Sequence, residues 1–525
     1  RDVAPSRGLG DVYKRQIFKQ GGVIMGENTN TTKKLTLVSL ILMIFTSVFG
    51  FANMPRAFYL MGYAAIPWYV LSAILFFIPY AFMMAEYGSA FKKETGGIYS
   101  WMEKSVGLKY AFIGTFMWYA SYIIWMVNVS STIWVPLSNA IFGSDRTGSL
   151  SLLGLSSIQS LGILGCLWIL LVTFIASKGV EKITKVTSVG GTAVALLNLV
   201  LLIGGLVVLA SNGFQFKQPI LNIARNFTTS PNPAYQTPLS ILSFLTFAIF
   251  AFGGLEVLGG LVDQTENAET TFPKGLTISA IVIAVGYAIG IFACGMFTNW
   301  NDVLSLDTVN MANVAYVLMR NLGYELGMTF GMSQASAITL GLWVARFVGL
   351  SMFLALTGAF FTLTYSPLKT LIEGSPKKLW PGKFAEIKDG MPVNAMWIQA
   401  IIAILIILVV SFGGSNGQAF FALLVLMTNV AMTIPYIFLS GAFPVFKKKQ
   451  LAGEVEKPFM VYKSYGMALT ASIIVSFVVG FANVFSIIEP AINGRITDTV
   501  FMIAGPVIFL SLIHISEPTR RSYIS

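Results

Sequence analysis

Twelve runs of predominantly apolar residues divide the chain, with approximate limits 36–61, 64–87, 109–135, 157–177, 185–210, 238–262, 276–298, 335–364, 393–413, 418–446, 464–488 and 497–515. A helix needs about 20 such residues to cross a hydrocarbon core about 30 Å thick, so the pattern predicts twelve spans and an all-α polytopic membrane protein. Two of the runs are interrupted in mid-span. The first carries Thr46-Ser47-Val48-Phe49-Gly50-Phe51-Ala52-Asn53-Met54-Pro55, and the sixth carries Ile249-Phe250-Ala251-Phe252-Gly253-Gly254-Leu255-Glu256. A charge near the middle of a span costs roughly 2.5 to 3.5 kcal/mol on insertion scales, and each glycine weakens a helix by about 1 kcal/mol. Both stretches therefore read as broken helices, whose freed backbone groups must face protein, water or a ligand. Breaks at matching places in two halves of a chain mark the binding site of a transporter.

The segments between the runs set the expected orientation. With the N-terminus inside, the even-numbered connections collect Lys92, Lys93, Lys104 and Lys109, then Lys178, Lys182 and Lys185, then Lys274, then five lysines from Lys369 to Lys388, then five from Lys447 to Lys463. The odd-numbered ones carry only Arg146, Lys217, Arg225, Arg320 and Arg495. The positive-inside rule then places both termini in the cytoplasm. In the connection between the seventh and eighth runs, Met311 to Leu322 is expected to form a short helix at the outer interface. No separate soluble domain is expected.

Composition removes the other broad classes. Of 525 residues, 55% are hydrophobic and 11% charged, too little polar surface to cover a soluble protein of this size. The net charge of +11 does not point to nucleic acid, because the lysines lie between apolar runs rather than along one face. Cys166 and Cys294 sit inside apolar runs as small hydrophobes, and no zinc or disulfide spacing exists. The one histidine, His514, leaves no metal or haem site, and no cofactor is expected. The absence of a Gly-x-x-x-x-Gly-Lys-[Ser/Thr] loop argues against an ATP-driven pump. Residues 1–24 and 511–525 resemble translated sequencing-adapter or upstream sequence, which sets the transporter domain at 25–510, its last span truncated.

Short motifs sharpen the class. Ala85-Glu86-Tyr87-Gly88 and Gly96-Gly97-Ile98-Tyr99-Ser100-Trp101 lie between the second and third runs, and Glu266, Asn267 and Pro273 follow the sixth. With Phe252-Gly253-Gly254-Leu255-Glu256, these resemble the amino acid/polyamine/organocation permeases, most nearly the bacterial glutamate/GABA antiporter branch, over about Lys33 to Leu510. Val48-Phe49-Gly50 stands where that family often has Gly-Ser-Gly, and Glu266-Asn267-Ala268-Glu269 alters its Glu-x-Asn-Pro element. The resemblance implies a LeuT-like five-plus-five inverted repeat, 36–210 and 238–446, with broken helices 1 and 6 and two further helices in 464–510. It also implies secondary transport of an amino acid or related amine across the bacterial inner membrane, by antiport of the glutamate/GABA type or by proton-coupled symport, from a monomer or homodimer. A channel and a membrane redox subunit are the rival classes.

In such a fold Ser47, Gly50, Phe51, Ala52, Asn53, Phe250, Phe252, Gly253 and Gly254 are the candidate substrate-binding residues. N–H groups around Gly50 to Asn53 are expected to take a carboxylate, and free carbonyls at Phe250 to Gly253 an ammonium. Glu256, Trp125 and Thr357 are the candidates for coupling or gating, with Asn128 beside them. Bland readings stand next to these. The glycines also suit helix packing, Asn53 a helix cap, the two phenylalanines plain packing, and Glu256 a fixed hydrogen-bond anchor instead of a titrating group. Glu86 reads as an exposed anchor near the inner interface, and Arg346 as the partner of an acid. A lysine found midway along the fifth span in some proton-coupled members is absent from Ala193-Val194-Ala195-Leu196-Leu197-Asn198, which leaves Glu256 as the candidate proton-linked group.

Overall fold

Helix follows apolar run along the chain. The computed structural model describes residues 34–417 and 430–514, with side chains to 507. Among the described residues, nine helical stretches are long and apolar enough to cross a membrane. The first of them, Leu37–Ala90, contains 54 residues, about 80 Å as one helix and more than a single crossing needs. It is two passes. Gly62 turns the chain with φ of 56°, and the Tyr69 hydroxyl comes back to within 3.5 Å of the Asn53 carbonyl. Helices Ile434–Ala452 and Ile496–His514 supply the tenth and twelfth passes, the expected start of the tenth, 418–429, lying outside the described residues.

Both expected breaks are present. The first span is Leu37–Val48 and Asn53–Met61, parted at 49–52. The sixth is Pro238–Phe250, an irregular turn at 251–254, and a 3₁₀ turn Leu255–Leu261 whose seven residues are all buried. Capping fixes where these pieces begin. Thr36 accepts from the Ser39 N–H, while Thr237 and Ser240 form a reciprocal capping box with Pro238 in the first turn.

Small residues bring the broken spans together. A Cβ at Gly190 would stand 2.6 Å from the Leu354 carbonyl oxygen, and one at Gly191 2.4 Å from that of Leu42. The fifth span, Val180–Ser211, thus lets the first and eighth press against a single glycine pair. The seventh, Ala268–Phe297, runs along the second, with Phe272 seated on Gly88.

Three local expectations are corrected. The helix expected at 311–322 runs Val314–Thr329, and its Gly323 and Gly327 pack directly on Gly341 and Ala337 of the eighth span. The eighth span itself, Gln334–Gly374, extends well past its expected end and buries Lys369, which had been counted as a connection charge. Glu86 is fully buried, not an exposed anchor.

Candidate functional site

The two breaks meet at one phenol. Tyr287, fully buried on the seventh span, places its hydroxyl 3.0 Å from the Gly50 N–H and 3.2 Å from Asn53 Nδ2, both donors, and 3.0 Å and 3.1 Å from the carbonyl oxygens of Val48 and Ala251. The first three groups belong to the first break and the fourth to the sixth. At their closest approach Gly254, with φ of 118°, lies against the Ser47 carbonyl, which a Cβ would approach to 2.5 Å. Only glycine fits there, for reasons of conformation and space together. The Gly254 N–H donates to the Tyr436 hydroxyl at 2.9 Å, and a Cβ at Gly253 would stand 2.7 Å from that same oxygen.

These contacts sort the freed backbone groups. The N–H groups of Phe51 and Ala52 have no acceptor among the described residues, and they stand at the N-terminus of the Asn53–Met61 helix, where partial positive charge collects. The expectation for the sixth break needs correction at Phe250, whose carbonyl accepts from the Gly253 N–H at 3.0 Å and is not free. The Ala251 carbonyl takes its place, facing the crossing through Tyr287.

Glu256 lies two residues past Gly254 and is 1% exposed. Its Oε1 accepts from Trp118 Nε1 at 3.3 Å and from the Tyr122 hydroxyl at 3.2 Å, while Oε2 has no partner among the described residues. Trp118 and Tyr122 are four apart on the third span, Leu108–Thr132, and so share a face. The carboxylate is anchored by one oxygen and uncommitted at the other.

The remaining candidates divide. Asn53 is no cap, since its amide goes to Tyr287; Ser47 bonds back to Met43 through its hydroxyl and meets Gly254 only through its carbonyl. Phe252 stacks on Phe77 with centroids 4.7 Å apart and packs edge-on against Tyr287 at 5.1 Å, forming a wall of the crossing. Phe250 does not join it: it lines a cavity of about 370 Å³ with Ser486, Glu489, Arg495 and Asp498 of the last two spans and their connection. Trp125 is one layer out, packed on Phe360 and near Tyr122. Thr357 bonds to the Phe353 carbonyl of its own helix, and Asn128 is exposed. Arg346 has no acidic partner among the described residues and lies 4.9 Å from the Trp343 ring. Tyr287, Tyr436, Trp118 and Tyr122 were not singled out in the sequence, where nothing distinguishes them from the other tyrosines and tryptophans in apolar runs.

A second polar layer lies near the ends of the second, eighth and tenth spans. Glu86 pairs with Lys447, both side chains fully buried, and its Oε1 accepts from the N–H groups of Val461 and Tyr462 at 2.7 Å each. Burial, and then the Glu86 carboxylate, push the Tyr462 phenol above its ordinary range, so it remains a neutral donor to the Pro79 carbonyl. Lys369 holds both oxygens of Asp263 at 2.7 and 2.8 Å and the Gly260 carbonyl at 3.1 Å, tying the end of the sixth span to the eighth.

Known proteins are similar to this chain over most of its length. The chain is 54% identical to the inner membrane transporter YjeM of Escherichia coli K12 over 482 residues, 91% of this chain and 95% of that one, and equally similar to YjeM of Salmonella typhimurium over 483 residues. At 24% identity it aligns with the aspartate/glutamate permease AcaP of Lactococcus lactis over 83% of this chain and 84% of that protein. At 23% it aligns with a glutamate/gamma-aminobutyrate antiporter of the same species over 73% and 70%. The family model for amino acid permeases matches residues 35–513. Two broken spans crossing at a polar centre, in a chain matched from its first helix to its last, make this protein a member of the amino acid permease family.

Proposed function

We propose that the protein is a secondary active transporter that exchanges amino acids or related amines across the bacterial inner membrane by alternating access, with both termini in the cytoplasm. The observation that carries this reading is the crossing itself: donors of the first break and a carbonyl of the sixth face one point, buried between spans. A zwitterion leaving water needs its carboxylate and its ammonium both satisfied. The N–H groups of Phe51 and Ala52, with Gly50 and Asn53 beside them, serve the carboxylate, and the Ala251 and Val48 carbonyls serve the ammonium. Phe252 closes the wall behind them. The names of AcaP and of the glutamate/gamma-aminobutyrate antiporter support acidic amino acids and their decarboxylated amines as the first substrates to try.

In the cycle, the two halves of each broken span tilt about 49–52 and 251–254, and the site opens to one side at a time. The Lys369–Asp263 and Glu86–Lys447 contacts, placed by the lysine distribution at the cytoplasmic end, hold that end shut in the form described. Proton-coupled symport is the second reading, favoured by the uncommitted Glu256 Oε2, which can take up a proton without losing the bonds to Trp118 and Tyr122. Purified protein in liposomes loaded with one labelled amino acid, with the others offered outside at pH 5 to 8, tests both. Exchange predicts label efflux only when an external substrate is present. Efflux that ignores external solutes sinks antiport, and conductance without saturation revives a channel.

A further inference from the structure

A tyrosine hydroxyl has one proton to give and two lone pairs to receive with, three bonds at most. At Tyr287 four partners stand within 3.2 Å: two donors, Gly50 N–H and Asn53 Nδ2, and two acceptors, the carbonyls of Val48 and Ala251. Both donors can be satisfied together, but only one carbonyl can receive the proton at any moment. The single Gly50 N–H is itself shared between the phenol at 3.0 Å and Val48 O at 2.9 Å, whereas no other donor to Ala251 O outside regular helix is found among the described residues. The phenol thus meets the Gly50 N–H and Asn53 Nδ2, serves its two carbonyls only one at a time, and leaves the N–H groups of Phe51 and Ala52 without an acceptor among the described residues.

Resting on the substrate-site reading above, we infer that the Tyr287 hydroxyl is a placeholder for the substrate: in the empty protein it occupies Gly50, Asn53, Val48 and Ala251, the part of the site beside the free Phe51 and Ala52 N–H groups, and it gives them up when a zwitterion binds. Two needs are met by this arrangement. Without the phenol, Asn53 Nδ2 and the Ala251 carbonyl would lose the partner they have inside the protein, which destabilises the empty form. A permanent internal ligand that satisfied all of them would compete too well. The half-satisfied carbonyls are what an ammonium, with three N–H groups, supplies better than one phenol.

The ring has something to lean on when the hydroxyl lets go. Phe49, Tyr69 and Phe252 surround it with centroids 5.0, 5.3 and 5.1 Å away, and Phe49 and Phe252 meet it edge-on. These contacts hold the aromatic body through packing that does not depend on the hydroxyl. Phe49 itself sits on Gly286 of the seventh span, where a Cβ would stand 2.7 Å from its ring. A shift of the phenol tip relative to the first break therefore needs no repacking of the seventh span.

The test is Tyr287→Phe, which keeps the ring and removes the competitor. Purified wild type and variant are titrated with L-glutamate, L-aspartate, 4-aminobutyrate and the remaining common amino acids, reading binding by calorimetry and by ligand-induced thermal shift. The placeholder predicts that the tightest wild-type ligand binds the variant roughly tenfold more tightly, and that the variant melts lower when empty yet gains more on saturation. In the wild-type sequence with 3-fluorotyrosine incorporated at position 287 alone, the ¹⁹F resonance must move on saturation, a readout that does not require the phenylalanine variant to fold. Wild-type binding that weakens or is unchanged in Tyr287→Phe, or a fluorine signal that ignores the ligand, overturns the placeholder and leaves the transporter site standing. No saturable binding to wild type by any compound in the panel overturns both.

Discussion

Gly254 carries the tightest constraint at the crossing, because its φ of 118° and the Ser47 carbonyl 2.5 Å from any Cβ exclude every other residue. Gly254→Ala is expected to cut exchange by at least a hundredfold while the protein still reaches the membrane, the strain of about 1 to 3 kcal/mol being local to the break. At Gly253 the neighbour is the movable tip of Tyr436, so Gly253→Ala keeps a measurable rate. Exchange and membrane yield assayed side by side separate the two; equal loss in both variants would mean the glycines only pack helices. Glu256→Gln retains an acceptor for Trp118 and Tyr122 and replaces the uncommitted oxygen by an amide. If Glu256 is the proton-linked group, exchange by this variant loses its pH dependence between pH 5 and 8, whereas a rate lowered in parallel at every pH identifies a fixed anchor. The glycines and the carboxylate were legible in the sequence because each is costly in an apolar run and so must answer to something. Tyr287 was not, since a tyrosine in a span costs little and its partners are 234 to 239 residues away for the first break.

At the scale of elements, hydrophobic run length located the helices, with the start of the seventh and the end of the eighth off by two turns or more, and the helix breakers located both breaks. Burial of charge was misread. Glu86, near the end of the second span, reads as an interface anchor and Lys447, near the end of the tenth, as a connection charge because ionised groups are expensive inside, yet each supplies the other's counter-charge, and two backbone N–H groups complete the carboxylate. Pairing across 361 residues leaves no local trace. Removing one partner of a buried pair costs about 3 to 5 kcal/mol. Lys447→Met should therefore markedly lower the melting temperature in detergent, and Glu86→Gln added to it should recover part of the loss. Lys369→Met, whose partner Asp263 keeps 19% exposure, should cost less. A double variant no better than Lys447→Met alone would mean that the pair is not what holds the second and tenth spans together.

For the whole molecule, the lysine distribution gives an orientation that geometry alone does not. In a chain with Cys166 and Cys294 replaced by alanine, Asp307→Cys is expected to react with a membrane-impermeant maleimide in intact cells, and Lys93→Cys only after permeabilisation. The reverse order would invert the topology. Both positions are exposed, so reactivity reports sidedness rather than burial. The central claim is that solute crosses at the meeting of the two breaks. Ala52 stands there, half-buried, with a free N–H and a side chain short enough for cysteine to replace it. The most direct measurement is the rate at which a small methanethiosulfonate inactivates Ala52→Cys in the same cysteine-free chain, in liposomes, with and without a saturating transported amino acid. The account predicts inactivation of exchange, slowed about tenfold or more by substrate and unaffected by amino acids that are not transported; modification that leaves exchange intact, or proceeds at one rate whether or not substrate is bound, would contradict it.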